Sequence, residues 1–245
     1  MPILEDVKES FGALMESHDL LGQQVHVRVK PLSVQQAIGT PERDDFPIQK
    51  GKERIVEATF GNSAGHAFTD AFCDYSSTIA GLLGLELNDP FNRSVFTASV
   101  NAVLRHLGRT QGTVHCRDKE PTQCAPLLVE YLGQKHPGAR KVALVGLQPA
   151  MADALAKVYD LSIVDLDPDN IGRKIAGVPI QSGQTDLSTV IGGSDVVVAT
   201  GSTASNGSID AVSKAAGERP VVFFGVTISG AADLLSLERF CPFGH

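Results

Sequence analysis

Three stretches of the chain bring together residue types that can do chemistry. The first is Thr113-Val-His115-Cys116-Arg-Asp118-Lys-Glu120-Pro-Thr-Gln-Cys124. Imidazole, thiolate and carboxylate together suit a soft or borderline transition metal, so His115, Cys116 and Asp118 are the candidate ligands and a transition metal ion the candidate cofactor. Against this, the spacing lacks a paired C-x-x-C. His115 and Cys116 are sequential and in an extended segment point to opposite sides. Cys124 falls on the apolar stripe of a helix, where it serves as a small core residue.

The second stretch is Gly201-Ser202-Thr203 followed by Asn206-Gly207-Ser208-Ile209-Asp210. Its hydroxyls and amides can cradle a carboxylate or phosphate, and the same side chains can cap the helix that starts near residue 208. The third is Gly65-His66-Ala-Phe68-Thr69-Asp70. Thr69 and Asp70 either face a cleft between domains or belong to an ordinary hairpin strand with Asp70 exposed.

These stretches need elements to position them. Residues 3–16 have apolar positions at helical spacing, and Val25 to Lys30 alternates with period two, placing Val25, Val27 and Val29 toward a core. The polar stretch with Pro41, Pro47 and Gly51 reads as a loop. Arg54–Phe60 and His66–Phe72 form a hairpin about Gly61-Asn62. Ser76 to Leu83 reads as helical. Asp89-Pro90 starts a helix with a buried stripe of Phe96, Val100, Val103, Leu104 and Leu107. A connecting helix runs from about Thr122 to Gln134, with Cys124, Leu127, Leu128, Tyr131 and Leu132 as its apolar positions. Strands then alternate with helices. Lys141–Leu147, Leu161–Leu166, Asp195–Thr200 and Val221–Val226 are apolar runs of the kind a strand buried on both faces requires. Helices fall at 149–158, 186–191, 209–216 and 230–236. This predicts an α/β protein, with a small α+β domain over residues 1–111 and a Rossmann-like parallel domain over 112–245.

In such a sheet, ligands collect beyond the carboxyl ends of the strands. Four glycine-containing loops leave those ends, at 146–149, 165–172, 201–207 and 225–230. The helices that follow are expected to offer unpaired amides to an anionic group. Gly146, Asp165, Asn170, Gly201, Ser202, Thr203 and Asn206, with Thr69 and Asp70, are the candidate ligand-binding residues. Asp165 lies 19 residues past Gly146, where an acid can hold a ribose hydroxyl; the alternative is a solvated strand end or a helix cap. G-x-G-x-x-G is missing, as are a methyltransferase glycine loop and a Walker lysine, so ordinary NAD, methyl-donor and ATP sites are not indicated. Ser202 has no nucleophile elbow around it.

Composition bounds the remaining classes. The formal net charge is -7 with scattered Lys and Arg, and Trp is absent, which argues against a nucleic-acid partner. No run approaches a membrane span, and the acidic start MPILEDVKES lacks a signal pattern. Cysteines at 73, 116, 124 and 241 lack scaffold spacing, so the expectation is a reduced, cytoplasmic protein. The expected partner is a small-molecule ligand or metal chelator, and a homo-oligomer is compatible. The chain stops at Gly244-His245 soon after the last predicted helix, compatible with a missing terminal element.

The ordered set GHAFTD, RSVFTASVNAVLRHLG, TVHCRDKEPTQCA, KVALVGLQPAM, DLDPDNIG and GSTASNGSID resembles the heavy-metal chelatase family of domain-of-unknown-function proteins, over about Val25 to Gly230. The resemblance implies an enolase-N-terminal-like domain ahead of the Rossmann-like one, and a link to heavy-metal chelation, including cobalamin or siderophore metabolism. Its matching positions are Phe68, Thr69 and Asp70; His115, Cys116, Asp118 and Cys124; and Asn170, Gly172, Gly201, Ser202, Thr203, Asn206 and Asp210. It assigns none of them a catalytic role, and whether the protein is an enzyme stays open. Three functional classes follow. One is a metal-handling protein with a small anionic ligand or chelator in an interdomain cleft. Another is a metal-free enzyme on a small phosphorylated or carboxylated metabolite, with Asp70, His115 or Asp118 as acid or base. The third is a non-catalytic ligand sensor.

Overall fold

A computed structural model describes residues 2–22, 27–50, 54–71 and 74–245. The expected strand positions Val25 and His26, and the residues Phe72 and Cys73, lie outside the described residues. In chain order the elements begin with α1 (Ile3–Ser17), β1 (Val27–Pro31), α2 (Val34–Ile38) and a 3-10 turn (Pro47–Lys50). Next come β2 (Arg54–Phe60), β3 (Ser63–Thr69), β4 (Tyr75–Ser77), α3 (Ile79–Leu83), α4 (Pro90–His106) and α5 (Glu120–Lys135). The second half holds β5 (Lys141–Val145), α6 (Pro149–Leu155), β6 (Asp160–Asp165), β7 (Lys174–Ile175), β8 (Val178–Ser182) and α7 (Leu187–Gly192). It closes with β9 (Val196–Thr200), α8 (Ser202–Asn206), α9 (Ile209–Ala216), β10 (Val221–Phe224), α10 (Ser229–Leu235) and β11 (Arg239–Phe240).

The first four strands form an antiparallel sheet in the order β3-β2-β1-β4. The others form a seven-stranded sheet in the order β11-β10-β9-β5-β6-β8-β7, parallel except for β7, which pairs antiparallel with β8. The chain therefore builds outward from β5 in one direction, through β6 and β8, and then returns to add β9, β10 and β11 on its other side. The class is mixed α/β with a parallel-rich sheet, as the apolar runs require: β5, β9 and β10 are almost wholly buried on both faces, and β6 buries Leu161, Ile163 and Val164.

The two sheets meet across α4. Asp89 caps its start by accepting the Asn92 amide at 3.0 Å, with Pro90 in the first turn. Residues 94 to 104 are then buried on every side, not only along the expected stripe, and Leu107 is only partly buried. The reason is packing on two fronts, β2 and β3 on one side and α8 and α10 on the other. Gly65 lets the helix come this close: a Cβ there would lie 2.4 Å from both Ala102 N and Ala98 O. Asn101 is the polar centre of the joint. Its amide nitrogen donates to the carbonyls of His66, Val226 and Thr227, and its oxygen accepts the Gly230 amide at 2.7 Å. One apolar cluster accordingly runs from α1 and β2 through α4 into β5, β9, α9 and α10.

Local expectations fail where a tertiary partner intervenes. Ser76 and Ser77, expected as the start of a helix, belong instead to β4 because β1 offers a pairing edge (Val27 to Ser77, Val29 to Tyr75). The expected loop after β1 contains α2, closed by a Ser33/Gln36 capping box, and the 3-10 turn. Leu32, Ala37, Ile38, Phe46, Ile48 and Ile55 make a separate small cluster there. Leu127, expected on the buried stripe of α5, is exposed. The Gly201–Asn206 loop is the short helix α8, and the hairpin β7–β8 and the edge strand β11 were too short to show a period.

Candidate functional site

The four strand-end loops and the antiparallel sheet enclose a cavity of about 440 Å³, within the range of small-ligand sites. It lies at the carboxyl ends of β5, β6, β9 and β10, where the sheet order reverses, as open parallel sheets dictate. Two glycines permit the closure. A Cβ on Gly146, whose φ is +84°, would meet the Thr200 side chain at 2.4 Å, and one on Gly201 would meet Ile228 N at 2.9 Å. All nine candidate ligand-binding residues line the cavity: Thr69, Asp70, Gly146, Asp165, Asn170, Gly201, Ser202, Thr203 and Asn206.

One wall is the segment that follows α4. It is held like an added strand. The His66 amide donates to Thr113 O at 2.8 Å, the Thr113 hydroxyl donates to Ala64 O at 2.6 Å, and Val114 and His245 exchange two amide bonds of 2.9 Å each. The His66 ring, buried beside Glu57 in the β2–β3 register, accepts the His115 amide on Nδ1 at 3.1 Å. Its proton therefore sits on Nε2 and is donated to Glu57 Oε2 at 2.9 Å.

His115 and Cys116 both line the cavity, contrary to the opposite-facing expectation, with Cys116 Sγ 3.8 Å from His115 Nδ1. The segment is not a regular strand, so the two-residue alternation does not apply. His115 Nδ1–H donates to the Cys116 carbonyl at 2.6 Å, which leaves the lone pair on Nε2, and the ring stands edge-on to Phe68 with centroids 5.3 Å apart. Burial pushes the His115 imidazole down to about 4, so it is neutral at pH 7.

Asp118 does not join them. It takes a positive φ of 55°, its amide donates to Ile38 O, and its carboxylate accepts the Thr40 amide at 2.8 Å. It anchors the α2 end to the 113–118 segment and does not line the cavity.

Two thiols that the sequence did not single out as site residues complete this wall: Cys124 of α5, expected as core, and Cys241, which follows β11. Cys116, Cys124 and Cys241 are unbridged. Burial raises all three thiols, Cys124 to about 12, so all are protonated in the ligand-free protein. Nothing in the local sequence of Cys241 could have placed it here, because only the addition of β11 beside β10 brings it round.

The opposite, polar end differs from expectation in a second respect. Several of the amides expected to await an anion are already bonded to side chains. Asp165 Oδ2 accepts the Leu147 amide at 2.6 Å, and Oδ1 accepts the Asp167 amide at 2.7 Å and Asn170 Nδ2 at 3.3 Å. The Gln148 side chain caps α6 at Met151 N. Asn206 Oδ1 takes the Ser208 amide at 2.9 Å. The Thr69 hydroxyl is bonded to the backbone of Ala71, and that of Thr203 to Thr200 O. A dinucleotide pyrophosphate would have to displace Asp165. As for a metal, among the described residues no group of three or more His, Cys, Asp or Glu is placed to hold one.

This arrangement defines a mixed α/β protein with a parallel-rich sheet whose strand-end cavity is walled by an antiparallel sheet. Residues 131–238 match the model of the DUF364 family, described as "Putative heavy-metal chelation", and over that stretch the resemblance read from the sequence is borne out. Two solved structures are similar. A DUF364-family protein of unknown function from Pyrococcus horikoshii matches with a TM-score of 0.55 at 16% identity, over 92% of this chain and 79% of that one. A second DUF364-family protein of unknown function, from Desulfitobacterium hafniense, matches with a TM-score of 0.47 at 14% identity, over 69% of this chain and 66% of that one. The first shows a shared fold. No curated protein matches the chain. Among the described residues no helix is long and apolar enough to cross a membrane.

Proposed function

We propose that the protein handles a transition metal bound to a small ligand or chelator, and that the strand-end cavity holds that ligand. The observation that carries the reading is the wall where His115 stands beside Cys116, with Cys124 and Cys241 lining the same cavity. A neutral imidazole is the metal-binding form, and thiols become ligands by losing a proton as the metal binds. His115 and Cys116 are the donors in this reading, and Asp118 has no part in it. Asp165, Asn170, Ser202 and Asn206, at the opposite end, contact the organic part of the ligand. The family description supports metal handling over residues 131–238. The reading includes an enolase-N-terminal-like domain over 1–111, a Rossmann-like domain over 112–245, and a reducing cytoplasmic setting that keeps the thiols unbridged.

The test is native and elemental mass spectrometry of the protein purified from its own host under reducing conditions. A transition metal is expected, and it should be lost in a His115→Ala, Cys116→Ala double variant that still folds. Protein that arrives metal-free and takes up no zinc, nickel, cobalt or iron, alone or chelated, would overturn the proposal.

A further inference from the structure

We infer that the chelator held by this cavity carries, beside its metal-binding groups, an apolar body about the size of an aromatic ring. The inference rests on the cavity being the ligand site of a metal-handling protein.

Three surfaces point to such a body. The first is the cover. Among the described residues of 27–50, Ile38, Phe46 and Ile48 are those that line the cavity, and each is a buried apolar side chain. Of the polar groups in that segment, Gln36 closes the α2 capping box, and Arg43 pairs with Asp45 and Asp153. The second surface flanks the metal donors. Phe68 stands edge-on to the His115 ring at 5.3 Å, Phe240 immediately precedes Cys241, and both line the cavity. Phe68 also packs against the apolar cluster of the cover, so the first two surfaces are continuous. The third is the sheet end. Phe224 ends β10 and lines the cavity, while the amides of Leu147 and Met151 donate to Asp165 and Gln148 and are not offered to a ligand.

Water held against apolar walls gives up hydrogen bonds, so an apolar group that displaces it gains affinity. A hydroxyl- or phosphate-rich group in the same place would lose its hydration without replacement. The cavity volume of about 440 Å³ equals that of about 15 water molecules at ~30 Å³ each, enough for a small metal chelate and one ring together. In this arrangement His115 and Cys116 meet the metal, and the ring lies against Phe46 and Phe68.

The experiment uses the full reduced chain at pH 7 and two neutral 1:1 complexes that share metal, donor atoms and charge: nickel–N-benzyliminodiacetate and nickel–N-methyliminodiacetate. Calorimetric titration at several temperatures is the readout. The benzyl complex should bind at least ~10-fold more tightly, and with a more negative heat-capacity change, the mark of added apolar burial. Phe46→Ala and Phe68→Ala should each narrow that gap, with thermal unfolding to show that the variants are folded. Equal affinities, or tighter binding of the methyl complex, would overturn the inference and leave metal handling intact. A benzyl preference unchanged in both folded variants would put the ring outside the cavity and overturn it as well. The heat-capacity comparison needs only the parent chain, so an equal change for the two complexes overturns the inference even if neither variant folds. If neither complex binds, the inference falls, and metal handling falls with it only when protein from the native host also carries no metal.

Discussion

Asp165 and Leu147 are joined by a carboxylate-to-amide hydrogen bond of 2.6 Å that spans two adjacent strand ends. The bond closes the β5–α6 loop from within. It places a protein carboxylate where a Rossmann protein of the dinucleotide-binding kind would place pyrophosphate. With Asp167 N and Asn170 Nδ2 also donating to it, Asp165 organises the polar end of the cavity.

Asp165→Ala should therefore do two things. It should destabilise the protein by about 1–3 kcal/mol, because partly buried amides lose their acceptor. It should also free the Leu147 amide, so that sulfate raises the melting temperature of the variant by more than that of the parent. Urea unfolding and a sulfate series in thermal unfolding check both effects.

Asn101 joins β3 to the β10–α10 loop through four hydrogen bonds at a position with 0% exposure. Asn101→Ala leaves the Gly230 amide and three carbonyls without that partner. The expected cost is about 3 kcal/mol or more, larger than for an ordinary surface change. Chemical denaturation with an unchanged m-value would give the number. A loss below ~1 kcal/mol would show that the joint does not depend on it.

The segment carrying Ile38, Phe46 and Ile48 covers one side of the cavity and is tied to α6 by an Arg43–Asp153 ion pair of 2.8 Å. Both side chains are partly exposed, so Arg43→Ala should cost less than ~1 kcal/mol in stability. Its effect should appear in access. The modification of Cys116, Cys124 and Cys241 by an aromatic disulfide reagent, followed by peptide mass mapping, should accelerate several-fold. An unchanged rate at all three thiols would show that this ion pair does not restrain the cover.

His115 gives a pH dependence with a definite sign. Burial lowers its folded pKa to about 4 from an unfolded value of 6.5. Between those values the unfolded chain binds more protons than the folded one. Stability therefore falls as pH drops from about 6.5 toward 4, by up to about 3 kcal/mol from this group. Melting temperatures from pH 7 to pH 4 should decline less steeply in His115→Gln than in the parent.

The parallel sheet was legible because its signals are local. Buried runs such as Val142–Val145 and Val196–Ala199, the Asp89-Pro90 helix start and the glycines after β5 and β9 follow from backbone geometry that a few neighbouring residues dictate. The same local logic located the strand-end loops, and with them the nine candidate ligand-binding residues that line the cavity. What each side chain does there is a long-range matter. Asp118 turns to Thr40, 78 positions away, instead of to His115. His115 and Cys116 share a wall because His66, 49 positions earlier, holds the His115 amide. Cys241 arrives only once β11 has paired with β10. The strand-end amides, legible as donors, were spent on Asp165 and Gln148 by the tertiary fold. Sequence periodicity determined the longer helices and the buried strands of the parallel sheet, whereas short segments such as β4, β7 and β11 exist only because a partner edge is offered to them. The choice among competing hydrogen-bond partners was decided by through-space packing, because the alternatives are chemically alike and only the folded distances separate them.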